Sequence, residues 1–257
     1  MNLFVTGSAG FIGGTFTYEA LKRGYRVIGC DNFINSKPEI IMKMKKLFPD
    51  SFTFYEVDLK NYEDLNEIIN KEDISQVVHF AALKSISESE EFPEKYWENN
   101  LGATENLLNI MKINNIKELI FSSSASVYGQ SDKQPIAEES KLLPLSVYAK
   151  TKAASEKLIQ ESALKGDLKA ISLRYFNPLG AHKDFVVYEN PMTEFGNIMP
   201  KLLKIFLGID NNFSIFGNDY KTRDGTGERD YLHISDLIEG HFLALSHLQS
   251  ISDYDVF

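Results

Sequence analysis

The 257-residue sequence predicts an α/β protein built on a doubly wound parallel sheet, with a smaller C-terminal lobe that covers a ligand and is incomplete in this sequence. Three observations carry that expectation. Apolar runs of strand length alternate with longer segments of helical spacing over the first two-thirds of the chain, the pattern of βαβ units whose sheet is buried on both faces. A glycine-rich turn joins the first strand directly to the first helix. Beyond about Arg174 the alternation stops: Pro178, Gly180, Gly208 and Gly217 punctuate the chain and only two helices stand out. Long irregular stretches inside a compact protein usually serve function. The expected units are residues 1–175 and 176–257.

Strands are expected at residues 3–6, 26–30, 52–57, 76–80, 118–122 and 170–174, each a short apolar run. Phe16, Ala20 and Leu21 share one helical face, and Gly24 suits the left-handed residue that closes a helix. Leu65, Ile68 and Ile69 mark a second helix. A longer one is expected from about 96 to 115, with Leu101, Leu107, Leu108, Met111 and Ile116 on its apolar side. In the second unit the two helices fall near 197–207 and 234–247. The last five residues read as the start of another strand. Strands separated by helices, with right-handed crossovers, favour the doubly wound arrangement. No internal repeat or low-complexity segment interrupts the pattern.

The composition removes several classes of function. With 27 Lys and Arg against 36 Asp and Glu, the net charge of −9 argues against nucleic acid or an anionic membrane as the main partner. No window approaches the roughly 20 apolar residues of a bilayer span. The N-terminus runs straight into a strand and leaves no room for a signal peptide. Cys30, the single cysteine, permits no internal disulfide and reads as a small buried strand residue. His182, His233, His241 and His247 have no metal-ligand spacing, so no metal is expected, and His79 inside an apolar strand reads as a core histidine. Lys43-Met44-Lys45-Lys46 reads as a solvated helix face. A soluble cytoplasmic protein is expected.

Two motifs carry chemistry. Thr6-Gly7-Ser8-Ala9-Gly10-Phe11-Ile12-Gly13 lies between strand and helix. Glycines at 7, 10 and 13 allow a tight turn, close approach of backbone to a pyrophosphate and close packing of helix on strand. The free N–H groups of the helix start then face the phosphates. Asp31 ends the second strand, where a carboxylate accepts from both ribose hydroxyls of an adenosine and repels a 2′-phosphate, so NAD is expected rather than NADP. The second motif is Tyr148-Ala149-Lys150-Thr151-Lys152, preceded by Ser122-Ser123-Ser124 at a strand's carboxyl end. Tyr148 and Lys152 share a helix face. An ammonium beside a phenol, with the positive nicotinamide, would lower the tyrosine pKa toward neutrality and make it a base.

These motifs together with Phe80-Ala81-Ala82-Leu83-Lys84 resemble the extended short-chain dehydrogenase/reductase superfamily. Arg174-Tyr175-Phe176-Asn177-Pro178-Leu179-Gly180-Ala181-His182, Ile215-Phe216-Gly217-Asn218-Asp219-Tyr220, Asp224-Gly225-Thr226-Gly227 and Arg229-Asp230-Tyr231-Leu232-His233 narrow the resemblance to its UDP-glucose 4-epimerases. The likeness covers the whole chain and implies a Rossmann fold, a homodimer, and interconversion of UDP-glucose and UDP-galactose through a 4-keto sugar. It implies catalysis by Ser124, Tyr148 and Lys152. To the glycines and Asp31 it adds cofactor contacts at Phe11, Ile12, Asn32, Asn35, Ser36, Asp58, Leu59, Phe80, Ala81, Lys84, Asn99, Ser122, Tyr148, Lys152 and Phe176. It places the nucleotide-sugar against Ser124, Asn177, Asn197, Ile198, Ser214, Ile215, Phe216 and Arg229. Arg229 could clamp a pyrophosphate or pair with Asp230 or Glu228; Asn177 could serve the sugar or cap the turn before Pro178; Lys84 could serve the cofactor or stand in solvent.

Dehydratases on this scaffold resemble one another in an Asp-Glu pair after the catalytic Ser or Thr. Ala125 and Ser126 stand there instead, and neither is an acid or base. Epimerases of related sugars, such as UDP-glucuronate or UDP-N-acetylglucosamine, and a catalytically silent NAD-binding module remain open alternatives. Leu108, Met111, Leu158 and Ile159 give the two central helices more apolar positions than one sheet contact needs, which fits a two-fold helix pairing. Relatives of this type continue for several tens of residues past the position of Phe257, so the sequence reads as C-terminally truncated.

Overall fold

A computed structural model of the chain describes residues 1–131, 134–189 and 197–257. Seven parallel strands form the central sheet: β1 (Asn2–Thr6), β2 (Arg26–Asp31), β3 (Phe52–Glu56), β4 (Gln76–His79), β5 (Glu118–Ser122), β6 (Lys169–Leu173) and β9 (Tyr254–Val256), in the order β3-β2-β1-β4-β5-β6-β9. The order reverses between β1 and β4, the switch point at which ligands bind in such sheets. All six expected strands form. The seventh corrects the division at residue 175 as a boundary for the sheet, because β9 comes from the last residues and pairs with β6 at Ala170↔Tyr254.

Alternation along the strands splits the core in two. Leu3, Val5, Val27, Val78, Ile120 and Ile171 face α1 (Phe11–Lys22), α2 (Glu39–Leu47) and α9 (Ile234–His247). Phe4, Ile28, Cys30, Val77, Leu119 and Phe121 face α3 (Tyr62–Lys71), α6 (Ala103–Ile113) and α7 (Val147–Leu164). Helix α9 therefore belongs to the sheet's own core, with Phe242 stacked on Phe16 of α1 at 4.8 Å. Gly24 ends α1 as expected: its φ is +84°, its N–H donates to the Leu21 carbonyl, and that of Tyr25 reaches Ala20.

The long helix expected from 96 to 115 is interrupted. Short helices α4 (Ile86–Glu91) and α5 (Pro93–Tyr96) lead into a π-helical segment, Trp97–Gly102, before α6 begins. Asn100 accounts for the distortion: it is buried, its side chain accepts from the Leu83 N–H (2.8 Å) and donates to the Leu83 carbonyl (3.0 Å) and to Thr151 Oγ1 (3.1 Å). Leu108, Met111 and Ile159, offered above as surplus surface, are buried in this chain's own core, and Leu158 packs against it. Outside the large sheet, β7 (Asn177–Leu179) pairs with β8 (Tyr231–His233), and α8 (Ile198–Phe206) buries none of its residues. No helix among the described residues is long and apolar enough to cross a membrane.

Candidate active site

A cleft of about 400 Å³ opens at the switch point. Its floor is the turn from β1 to α1. At Gly7 (φ +68°) a Cβ would lie 2.8 Å from the Ala81 backbone nitrogen, and at Gly13 one would lie 2.3 Å from the Gly7 carbonyl oxygen. Any other residue at either position would force backbone apart, so the glycines are required by the close approach of these strands and helix. Gly10, Phe11 and Ile12 complete this wall.

Asp31 closes the β2 side. Its carboxylate accepts from the Phe33 N–H (2.9 Å), the Ser36 hydroxyl (2.8 Å) and the Ala9 N–H (3.1 Å). Burial lifts its pKa above the ordinary value, and those hydrogen bonds oppose the rise. Asn32, Asn35, Ser36, Asp58, Leu59, Phe80, Ala81, Lys84, Asn99 and Ser122 line the same cleft, and Asn32 donates to Asp58 at 3.2 Å. The cradle fits a dinucleotide: backbone N–H groups at a helix start, no side chain on the glycine turn, and a carboxylate at the end of the second strand. Lys84 also pairs with Glu189 at 3.4 Å.

Ser122 to Ser124 leave the carboxyl end of β5, and α7 presents Tyr148 and Lys152 toward them. Lys152 Nζ donates to the Ser122 carbonyl at 2.8 Å and stands 4.8 Å from the centre of the Phe121 ring. Burial pulls its pKa down to about 8, while Glu156 one turn on opposes the fall. The Tyr148 pKa lies above the ordinary value, because burial outweighs the hydrogen bond from Ser124. The expected fall toward neutrality is thus not produced by the protein's own groups: the Lys152 ammonium is engaged by a backbone carbonyl, and desolvation dominates at the phenol.

Phe176 departs from the cofactor set. It is half-exposed and lines a separate hollow with Tyr231, Leu232, Asp236 and Phe257. Tyr175 enters the cleft instead, its phenol hydrogen-bonded to Ser122 Oγ. The signal was available in the sequence: successive residues leaving a strand alternate in direction, and Arg174 is directed at α7. Val186, Val187, Tyr188 and Glu189 also line the cleft, a contribution no motif announced.

The nucleotide-sugar set is not gathered in the cleft. Asn177 donates to the Asp230 carbonyl at 2.9 Å, joining β7 to β8. Asn197 donates to Glu189, Arg229 donates to the Glu228 carbonyl at 2.7 Å, and Ser214, Ile215 and Phe216 stand exposed. Ile198 opens α8 and is 39% exposed. His79 is a satisfied core histidine, with Nδ1 on Thr6 Oγ1 (2.7 Å) and Nε2 on Thr104 Oγ1 (3.1 Å).

A parallel sheet with a glycine cradle and a carboxylate at its switch point defines a dinucleotide-binding enzyme scaffold. The chain belongs to the NAD dependent epimerase/dehydratase family, which it matches over residues 3–257. It is 41% identical over 249 residues to the UDP-glucose 4-epimerase of Dictyostelium discoideum, covering 96% of this chain and 72% of that one. It is 38% identical over 256 residues to the bifunctional protein GAL10 of Pachysolen tannophilus, covering 98% of this chain and 37% of the relative. The crystal structure of a UDP-glucose 4-epimerase from Bifidobacterium longum in complex with NAD+ and UDP superposes with a TM-score of 0.94 at 35% identity, over 100% of this chain and 77% of that one.

Proposed function

We propose that the protein is an NAD-dependent isomerase that interconverts UDP-glucose and UDP-galactose at sugar C4. What supports this reading is the hydrogen bond between Ser124 and Tyr148 and that from Lys152 to the Ser122 carbonyl at the carboxyl end of β5, beside the cleft that Ser122 lines. Gly7, Gly10, Phe11, Ile12, Gly13, Asp31 and the other cleft residues would hold the cofactor, with Asp31 toward the adenosine ribose. NAD, when bound, supplies a hydride acceptor that is reduced and reoxidised within one cycle, so that C4 passes through a ketone and no other redox partner is needed.

The chain's own residues do the rest. Tyr148, as the phenolate, takes the proton of the 4-hydroxyl and gives it back to the same oxygen after the ketone has turned over and the hydride has returned to the other face of C4. Ser124 hydrogen-bonds the phenol and so favours its charged form. Lys152, one turn along α7 from Tyr148 and held on the Ser122 carbonyl, is the buried cation that would favour the phenolate once substrate and NAD are bound. With Ala125 and Ser126 next in sequence, no acid or base is present there for elimination, which supports epimerisation over dehydration.

Residues 177–189 and 197–233, with Asn177, Asn197, Ile198, Ser214, Ile215, Phe216 and Arg229, form the sugar-nucleotide side in this reading, and Phe176 lines the separate hollow beside it. A homodimer is part of it: the exposed Ile86, Phe92 and Trp97 around α4 and α5 supply apolar surface for a two-fold contact. Conversion of UDP-galactose to UDP-glucose by the purified chain with NAD, followed by a coupled assay, tests the activity; absence of conversion overturns it. Light scattering that gives a monomeric mass at micromolar concentration removes the dimer.

A further inference from the structure

Behind the site lies an ion pair that the mechanism does not use. Glu156 and Arg174 are both buried, with side chains 3% and 8% exposed. Arg174 Nη2 donates to Glu156 at 2.6 Å and Nε lies 3.0 and 3.1 Å from its two oxygens, a forked contact. Stability alone is a weak account of such a pair, since packed apolar residues of similar volume often serve as well.

Its connections point elsewhere. Glu156 accepts a hydrogen bond from the Ser123 hydroxyl, the residue between Ser122 and Ser124. Arg174 Nη1 reaches the Tyr128 hydroxyl and the Glu138 carbonyl, each at 3.0 Å. Tyr128 closes the 3-10 turn Ala125–Tyr128 that Ser124 begins. The pair therefore grips the serine segment on both sides of Ser124. Backbone bonds from Ser123 to the Leu173 carbonyl (2.9 Å) and from Ala125 to the Tyr175 carbonyl (3.0 Å) complete the clamp.

We infer that Glu156, locked by Arg174, is a positioning residue that fixes Ser123, so that the Ser122 carbonyl holds Lys152 and the Ser124 hydroxyl faces Tyr148. This rests on the epimerase reading for its effect on turnover, but not for its effect on Lys152. Glu156 and Lys152 share a face of α7 one turn apart, and the carboxylate is the group that opposes the burial-driven fall of the Lys152 pKa. Of the other titratable groups, His79 on β4 faces Lys152, Tyr254 faces Glu156 and Tyr128 reaches the pair through Arg174, while Tyr148 and Tyr175 face each other and are bound by Ser124 and Ser122.

The test uses the NAD-loaded chain and two variants. Glu156→Gln keeps an acceptor for Ser123 and removes the charge; Glu156→Met with Arg174→Met removes both charges together and leaves none unpaired. In both, kcat falls about tenfold while KM and NAD affinity change less than about twofold, because the glycine cradle, Asp31, Asn177 and Arg229 lie outside the clamp. In both, the midpoint of Lys152 titration, read by NMR with ¹³C-labelled lysine, moves down by about half a pH unit or more. A double variant with the parental kcat and an unmoved Lys152 midpoint overturns the inference. A parental chain that does not epimerise overturns the functional reading alone, and the Lys152 midpoint then decides the positioning role by itself.

Discussion

At Gly13 a Cβ would lie 2.3 Å from a backbone oxygen, while Phe216 is 85% exposed. Both positions were marked in the sequence for ligand binding, and they are held by different means. The cofactor residues sit where strands end in register: Thr6 beside Cys30 and His79, and Ser122 beside Leu173. A sheet buried on both faces fixes those ends, so a motif attached to them arrives in place. Apart from Ser124 and Asn177, the expected sugar-nucleotide residues stand at or on α8, with no buried residue, and on exposed chain between it and β8. Position in the first region follows from the fold; in the second it depends on local hydrogen bonds such as Asn177 to Asp230.

The largest effect is expected at the phenol. Tyr148→Phe keeps the ring that fills its buried site and removes only the group that exchanges a proton, so turnover falls by about a thousandfold or more while NAD still binds. Near-parental turnover in this variant would take Tyr148 out of the mechanism and leave the first region a binding site only.

The next is a pH effect on the sheet itself. Burial holds His79 down to about 3 and His241 to about 4. Each is neutral in the folded chain, whereas the unfolded chain takes up protons below pH 6.5. Stability from these groups is therefore complete above pH 6.5 and is lost as pH falls toward their folded values; by pH 4.5 each removes about 2–3 kcal/mol. Asp31, lifted by burial, acts with the opposite sign. Unfolding in urea between pH 7 and 4.5 measures the slope, and His79→Gln removes about half of it. A flat profile in the parental chain would mean that water reaches the first region's core.

How much of this could be read from residues alone follows the same divide. Six strands, the glycine turn, Asp31 and the Ser124–Tyr148–Lys152 set are local patterns, and local patterns survive without knowledge of the fold. The seventh strand shows in the sequence only as a strand beginning, because its pairing with β6 spans some eighty residues of sequence and only the assembled sheet supplies it. The π segment looks like continuous helix in the sequence because the contact that accompanies it, Asn100 bound to Leu83, is tertiary. Leu108, Met111 and Ile159 look like surplus apolar surface in the sequence because helical spacing shows a face without showing how deeply the sheet covers it.

Asp31 offers a smaller and more selective perturbation. Asp31→Asn keeps side-chain hydrogen-bonding capacity and removes the charge that repels a 2′-phosphate. Losing charge-assisted bonds of about 1.5–3 kcal/mol weakens NAD by ten- to a hundredfold and narrows the preference over NADP. Calorimetry with both dinucleotides measures it. Tighter NADP than NAD binding in the parental chain would sink the assignment of Asp31 to the ribose.

The smallest effect is expected at Phe216. A side chain so exposed has little apolar area to lose, so Phe216→Ser changes the free energy of unfolding by less than about 0.5 kcal/mol and leaves NAD affinity unchanged. The same substitution at a residue of the first region, such as Phe121 at 1% exposure, creates a cavity that costs about 3–5 kcal/mol. Because Phe216 meets no described core, any role it has is toward a ligand or another surface, and UDP-glucose affinity is the quantity it can move. If Phe216→Ser lowers stability by more than about 1 kcal/mol, with a dependence on protein concentration, the residue is covered in solution by a second copy of the chain. The contrast between a fixed cofactor half and an open sugar half would then hold only for the isolated protomer.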